Sequence, residues 1–346
     1  MHCHLYVPNF ISVERAHADQ RLAAAETLIV RGRRRLTAST SHEAWLFERF
    51  SVPRQRDWPV APYTLLADGG APERHYWMRA DPVHLRVGRD SLSLADGSSF
   101  DVSRAEADAL VETLNCHFGE TMFFYPLQPA RWYVRLQRAP DVHTTPPSAA
   151  SETAIEEKLP SGSDAMRFHA QMNEAQMLLH EHTVNAAREA RGEPALNSIW
   201  FWGGGTLADS GTRPFSTVFG DDPLARGLAL AASIPARALP KDALAMLAAA
   251  RNDSVALVFM DALGNAKGEA ESARFLERRA AIEHDWLEPV LAALRSGQIG
   301  MLTLSLPGAD SLLEVEIVRS DLRYFWRRRK PLAVYSCAGS TPQGLS

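Results

Sequence analysis

From about residue 160 onward the chain alternates segments of strand character with segments of helix character, and this order restricts the fold more than any other feature. Parallel strands need long crossover connections, usually helical, so the alternation predicts a mainly parallel sheet covered by helices on both faces. Strands are expected at 197–202, 255–260, 301–305 and 313–318. Between them lie a helix over 164–180 capped by Ser163, a helical turn ending at Gly192, a strand–helix unit over 215–232 and a long helix over 269–296.

The first half reads differently. A strand at 2–7 leads past Pro8 into a helix-like run over 13–31, with Leu22, Ala25, Leu28 and Ile29 toward a core and Gly32 as its stop. The Ser/Thr cluster ending at Ser41 precedes Glu43-Ala44-Trp45-Leu46-Phe47, a capped short helix. Residues 51–75, rich in Pro and Gly, read as irregular. Over 76–137, turn-punctuated strands surround one helix that Ser103 caps, which predicts a smaller inserted α+β module. Residues 1–75 are then the N-terminal part of the α/β core, 138–153 a proline-bearing linker and 154–346 the main α/β domain.

At 346 residues, 46% hydrophobic and 23% charged, the chain can bury a large core and does not belong with disordered, collagenous or coiled-coil classes. Its net charge of −4 gives no overall pull toward nucleic acid. Cys3, Cys116 and Cys337 show no CxxC spacing, so neither a disulfide framework nor a zinc site is expected. No basic leader with an apolar run opens the chain, and no segment approaches a membrane span. The expectation is a cytoplasmic protein with no membrane and no nucleic-acid partner.

The stretch richest in chemistry is His182-Thr183-Val184-Asn185, Arg188, Gly192, Pro194 and Asn197, followed by Ile199-Trp200-Phe201-Trp202 and Gly203-Gly204-Gly205. Read as a parallel strand, it empties into a glycine run whose bare backbone lets a ligand approach, at the edge where open α/β sheets bind ligands. Arg188 offers a forked, permanently charged donor set and Asn185 both donates and accepts. With His182 and the backbone of Gly203, Gly204 and Gly205 they are candidates to hold a phosphorylated or carboxylate small molecule. The competing reading is that Asn185 and Arg188 tie helix ends to the sheet. Neither GxGxxG nor GxxxxGK[ST] occurs. His2 and His4 share one strand face and could take a soft metal only with further ligands. Two basic runs, Arg31-Gly32-Arg33-Arg34-Arg35 and Arg327-Arg328-Arg329-Lys330, read as solvated surface or as contacts for phosphate or an acidic partner.

The segment from His182 to Asn197 resembles the pattern HPVNxxRxxxGxxPxN of the archaeal-type cofactor-independent phosphoglycerate mutases, with Thr183 in the first proline position and Pro194-Ala195 around the second. More closely, NEAQMLLHEHTVNAAREARG with NSIWFWGGG, and WMRADPVHL and RWYVRL upstream, resemble an RpfE-type bacterial regulatory group related to those mutases, over about 58–335. The resemblance implies an alkaline-phosphatase-like fold in which two metal ions flank a serine nucleophile. On that likeness Ser41 takes the place of the serine, and Asp261 that of the carboxylate in the family's DxxGH loop, here Asp261-Ala262-Leu263-Gly264-Asn265.

Elsewhere the chain departs from the family. The first strand ends in Val7-Pro8-Asn9-Phe10 instead of Asp-Gly, and Leu306-Pro307-Gly308 stands where the family has Asp-His. The expectation is a degenerate relative with a regulatory or ligand-binding role and neither metal nor other cofactor. A divalent metal enters only under an alternative, a phosphomutase or phosphomonoesterase whose rearranged site uses Asp261, Asp68 and the N-terminal histidines. A third reading is a protein-interaction module that presents its aromatic-rich first 135 residues to a protein partner.

Overall fold

The structure, a computed structural model, describes residues 1–11, 20–87, 92–95, 100–150, 155–208, 212–250, 254–261, 263, 269–308 and 311–335. The strands are β1 (His2–Tyr6), β2 (Arg33–Ala38), β3 (Tyr76–Val87), β4 (Leu92–Ala95), β5 (Met122–Gln128), β6 (Arg131–Leu136), β7 (Ser198–Gly205), β8 (Thr217–Phe219), β9 (Ala236–Arg237), β10 (Val255–Phe259), β11 (Met301–Pro307) and β12 (Ser311–Val318). The helices are α1 (Ala23–Arg31), α2 (His42–Arg49), α3 (Val60–Ala67), α4 (Arg104–Phe118), α5 (Pro147–Ala150), α6 (Ala165–His180), α7 (Thr183–Ala190), α8 (Pro223–Ala231), α9 (Ala243–Ala249), α10 (Glu269–Ile282) and α11 (Glu288–Ser296). They form two compact units, Met1–Phe50 with Gly211–Ser346, and Ser51–Ser210. Among the described residues no helix is long and apolar enough to cross a membrane.

The first unit is built on a seven-stranded sheet of order β2-β12-β11-β1-β10-β8-β9. Its strands β11, β1, β10, β8 and β9 are parallel, and β12 and β2 extend one side antiparallel. Side chains of β1 alternate between faces. Cys3 and Leu5 enter a core with Leu28 and Ile29 of α1, Met246 of α9 and Val290 and Leu294 of α11. His4 and Tyr6 face the other way, where Trp45 of α2 packs at 5.3 Å and 4.3 Å between ring centroids. The run from α10 into α11 passes through a π turn at Glu283–Leu287. Helix α1 has no side-chain cap from its own N-cap residue, and Glu283 serves instead, accepting from the N–H groups of Ala24 and Ala25 at 2.5 and 3.1 Å.

The second unit is an antiparallel sheet of order β4-β3-β6-β5, with β7 added to β3. Asp81 organises it from within. Its Oδ1 accepts from Arg79 Nε and Nη2 at 3.0 and 2.6 Å and from Trp132 N–H at 3.2 Å, and its Oδ2 accepts from Trp202 Nε1 at 2.7 Å. One buried carboxylate thus ties β3, β6 and β7 together.

The expected class holds: an α/β chain with a mainly parallel, helix-flanked sheet and a smaller antiparallel module. Four local expectations are corrected. The strand at 197–202 was placed in the parallel sheet, but β7 runs antiparallel to β3 in the second unit. Every residue of β7 is buried, and a run apolar on both faces reads alike in either setting. The second unit therefore extends on both sides of 76–137. Residues 51–75 are not all irregular, since Pro62 is tolerated in the first turn of α3. Ser163 does not cap α6. Asp164 holds the N-cap position, and the Ser163 hydroxyl donates to Asp141 Oδ2 at 2.6 Å. Part of the helix expected over 13–31, Gly264, Asn265 and Cys337 lie outside the described residues.

Candidate functional site

Open α/β sheets take ligands at the carboxyl ends of their parallel strands, where helix N-termini and loop backbone converge. In the first unit α2 and α8 both begin with a capped turn. The Ser41 hydroxyl is the N-cap of α2 and accepts from Ala44 N–H at 3.2 Å. Asp222, three residues past the end of β8, is the N-cap of α8, accepting from Ala225 N–H at 2.7 Å with Pro223 behind it. Asp261 follows β10 by two residues and is exposed.

Three carboxylates act on His42, the first residue of α2. Its Nδ1 lies 3.5 Å from Glu43 Oε2, and Asp222 and Asp261 reach it through space. Burial opposes the imidazolium, but Glu43, Asp222 and Asp261 together outweigh that cost and raise the pKa above the ordinary 6.5. The neighbours respond in kind. Burial first, then Glu43, Asp222 and Asp261, pushes the Tyr6 hydroxyl above the usual tyrosine range. Burial also raises the Asp222 carboxyl; Asp261 and Glu43 add to the shift, while His42 and the Ala225 N–H oppose it. The His42 side chain keeps 40% of its surface and that of Glu43 only 4%, so the imidazole is what an incoming group meets. Glu43 Oε2 is buried with no hydrogen-bond partner.

Three carboxylates against one imidazole make a negative field, which repels a bare phosphate monoester and suits a cationic or hydrogen-bond-donating group. Two-metal phosphoryl transfer needs several oxygen and imidazole donors converging on each ion. Here β1 leads into Val7, Pro8, Asn9 and Phe10, β11 ends in Leu306 and Pro307 before Gly308, and Asp222 has one oxygen occupied as a cap. The described donors do not fit a metal pair.

The other ligands considered for a rearranged site are committed elsewhere. His2 Nε2 lies 2.9 Å from Thr303 Oγ1, and His4 Nε2 lies 2.9 Å from Ser305 Oγ. Ser305 donates onward to Glu314 Oε1 at 3.3 Å, so it accepts from His4, and Glu314 also pairs with Arg49. Burial, then Arg49 and His2, lowers the His4 pKa to about 3, which leaves the ring neutral. Asp68 belongs to the second unit, where it holds Arg131 through both oxygens at 2.6 and 2.9 Å and accepts from the Tyr133 hydroxyl at 2.6 Å.

The motif from His182 to Asn197 is spent on the second unit's own backbone. His182 caps α7, its Nδ1 accepting from Val184 N–H at 3.2 Å. The Asn185 amide donates to the carbonyls of Leu179 and Leu196 at 2.7 and 3.1 Å, and its oxygen accepts from Leu196 N–H at 2.8 Å. Arg188 is 1% exposed; its Nε donates to the Pro194 carbonyl at 2.8 Å, and its Nη1 reaches the Asp101 carbonyl and Glu106 at 3.0 and 3.1 Å. Asn197 pairs with both backbone groups of Leu85. Gly203, Gly204 and Gly205 stand at the far end of the eight-residue β7, which spans roughly 25 Å of strand. There a Cβ would meet Val60, Tyr76 and Pro59 at 2.9, 2.5 and 2.4 Å, so the glycines admit close packing. The structure does not bring Asn185 and Arg188 together with the glycine run. Sequence reasoning singled out Ser41 and Asp261 but missed His42, Glu43 and Asp222. The available signals were the polar pair behind a helix cap and the Asp-Pro step that opens α8.

Comparison with known proteins adds relatives to this geometry. Residues 73–185, which lie in the second unit, match the family model described as 2,3-bisphosphoglycerate-independent phosphoglycerate mutase. A 2,3-bisphosphoglycerate-independent phosphoglycerate mutase of Methanothrix thermoacetophila is 38% identical over 81 residues, 23% of this chain and 21% of that protein. The chain thus matches about a fifth of that curated relative's length. The PH0037 protein from Pyrococcus horikoshii has the same fold, with a TM-score of 0.58 at 12% identity over 96% of this chain and 92% of that one. The cofactor-independent phosphoglycerate mutase of Thermoplasma acidophilum aligns with a TM-score of 0.49 at 13% identity, over 97% of this chain and 95% of that one.

Proposed function

We propose that this chain is a phosphoglycerate-mutase-like protein that keeps the scaffold and has exchanged two-metal phosphoryl transfer for a ligand-binding or regulatory role in the cytoplasm, in keeping with its resemblance to the RpfE-type group. The observation that carries this reading is the donor set at the carboxyl edge. Ser41, in the nucleophile's place, accepts from the Ala44 N–H as the N-cap of α2, and the carboxylates around His42 leave a negative field with no second cluster of ligands among the described residues of β1 or β11. The motif shared with the mutases supports it from the other side, because Asn185 and Arg188 are consumed in holding backbone. On this reading His42 and Asp261 meet the ligand, and Ser41 fixes the start of α2.

Manganese titration by calorimetry, with elemental analysis of the purified chain, tests the proposal. The expected result is no stoichiometric pair of ions. Two tightly held ions per chain, weakened by Asp261→Asn, would restore the rearranged metal-dependent phosphotransferase.

A further inference from the structure

The opposite edge of the same sheet carries a different charge. Strand β1 enters the sheet at His2, opposite Met301 of β11, and Met301 faces Val318, the last residue of β12. Around this amino edge lies a cavity of about 650 Å³ lined by Arg31, Arg295, Arg319, Ser320, Leu322 and Arg323. That volume is in the range of small-molecule sites. Among the described residues four arginines and no carboxylate line it.

Among the described residues no carboxylate pairs with any of the four arginines. Arg31 ends α1 and donates through Nη1 to the Leu322 carbonyl at 3.0 Å, while its Nε is buried with no hydrogen-bond partner. Arg295 lies in the last turn of α11, and Arg319 and Arg323 bound the 3-10 turn after β12. The nearby acids are engaged elsewhere: Asp321 accepts from Val318 N–H at 3.1 Å, and Glu26 takes both oxygens to Arg21. Helix dipoles favour a cation at the ends of α1 and α11, which accounts for Arg31 and Arg295 but not for the other two. Clustered guanidinium groups repel one another, and a buried N–H without an acceptor carries its full desolvation cost. A ligand with several anionic oxygens relieves both.

We propose that this arginine-lined cavity binds a phosphate-bearing ligand of at least two negative charges, at a site separate from the carboxyl edge. Guanidinium forks match phosphate oxygens two at a time, so a pyrophosphate-like or bisphosphate group can engage several of the four together. The phosphate can belong to a soluble metabolite or to a lipid headgroup. Phe325 and Trp326, 77% and 62% exposed and separated from Arg323 by Tyr324 alone, make the second source worth separating from the first.

Calorimetry with inorganic pyrophosphate, and cosedimentation with phosphatidylcholine vesicles with and without phosphatidic acid, compare the wild-type chain with the double variant Arg295→Gln/Arg319→Gln. Both positions are exposed, so the melting temperature should be unchanged. Salt-sensitive binding of pyrophosphate that falls roughly tenfold or more in the double variant supports the site with a soluble ligand. Binding to the phosphatidic acid vesicles alone, lost in the double variant and in Phe325→Ser/Trp326→Ser, supports it with a lipid source. Binding of neither probe, or equal binding by the double variant, overturns the site. None of these results bears on the metal titration at the other edge.

Discussion

His4 and His42 begin from the same imidazole, and the sign of the charges around each sends them in opposite directions. His4 is packed among Trp45 and Phe215 with Arg49 and His2 nearby, and its pKa falls to about 3. Its contribution to stability is complete above the unfolded value of 6.5 and is lost as pH falls below that, down to about 3. At 1.36 kcal/mol per unit, about 2 kcal/mol disappears between pH 6.5 and about pH 5. His4→Gln keeps a donor for Ser305 and cannot titrate, so its urea-unfolding free energy should fall off less steeply over that interval. An acid limb as steep as wild type would contradict the assignment. His42 behaves in reverse: its contribution is complete below 6.5 and is lost as pH rises through its raised value.

Among the elements, α7 and β7 show how a recognisable motif becomes architecture. Asn185 makes its three hydrogen bonds to backbone within a buried corner, so Asn185→Ala strands two carbonyls and the Leu196 N–H. The second unit should lose about 2–3 kcal/mol in denaturant unfolding, with pyrophosphate binding by the chain unchanged. A drop in that binding at unchanged stability would return Asn185 to a ligand-binding role. The same corner explains what the sequence made legible. Periodicity located α4, α6, β7, β10 and β11, because each carries a buried face at helix or strand spacing. It could not assign β7 to a sheet, since a strand buried on both faces has no polar side to set its neighbours. Asn185 and Arg188, read together with the glycines as candidates to hold an anion or else as ties between helix and sheet, are neighbours of the glycines along the chain but not in space, because β7 holds the two groups apart.

Over the whole molecule, the family-model match and the charge cluster fall in different places. The match to the mutase family model lies within 73–185, in the antiparallel unit, while the cluster around His42 lies on the parallel sheet. The α/β class was readable from the alternation of elements. The site cluster was not, because His42, Asp222 and Asp261 lie far apart in sequence and only the topology of β8, β10 and α2 brings their charges together. The central claim, that the scaffold persists without the mutase reaction, is tested most directly by phosphorus NMR of 3-phosphoglycerate incubated with the purified chain and saturating manganese, beside the Ser41→Ala variant. No 2-phosphoglycerate above the protein-free blank is expected for either protein. Conversion by the wild-type chain that Ser41→Ala abolishes would contradict it.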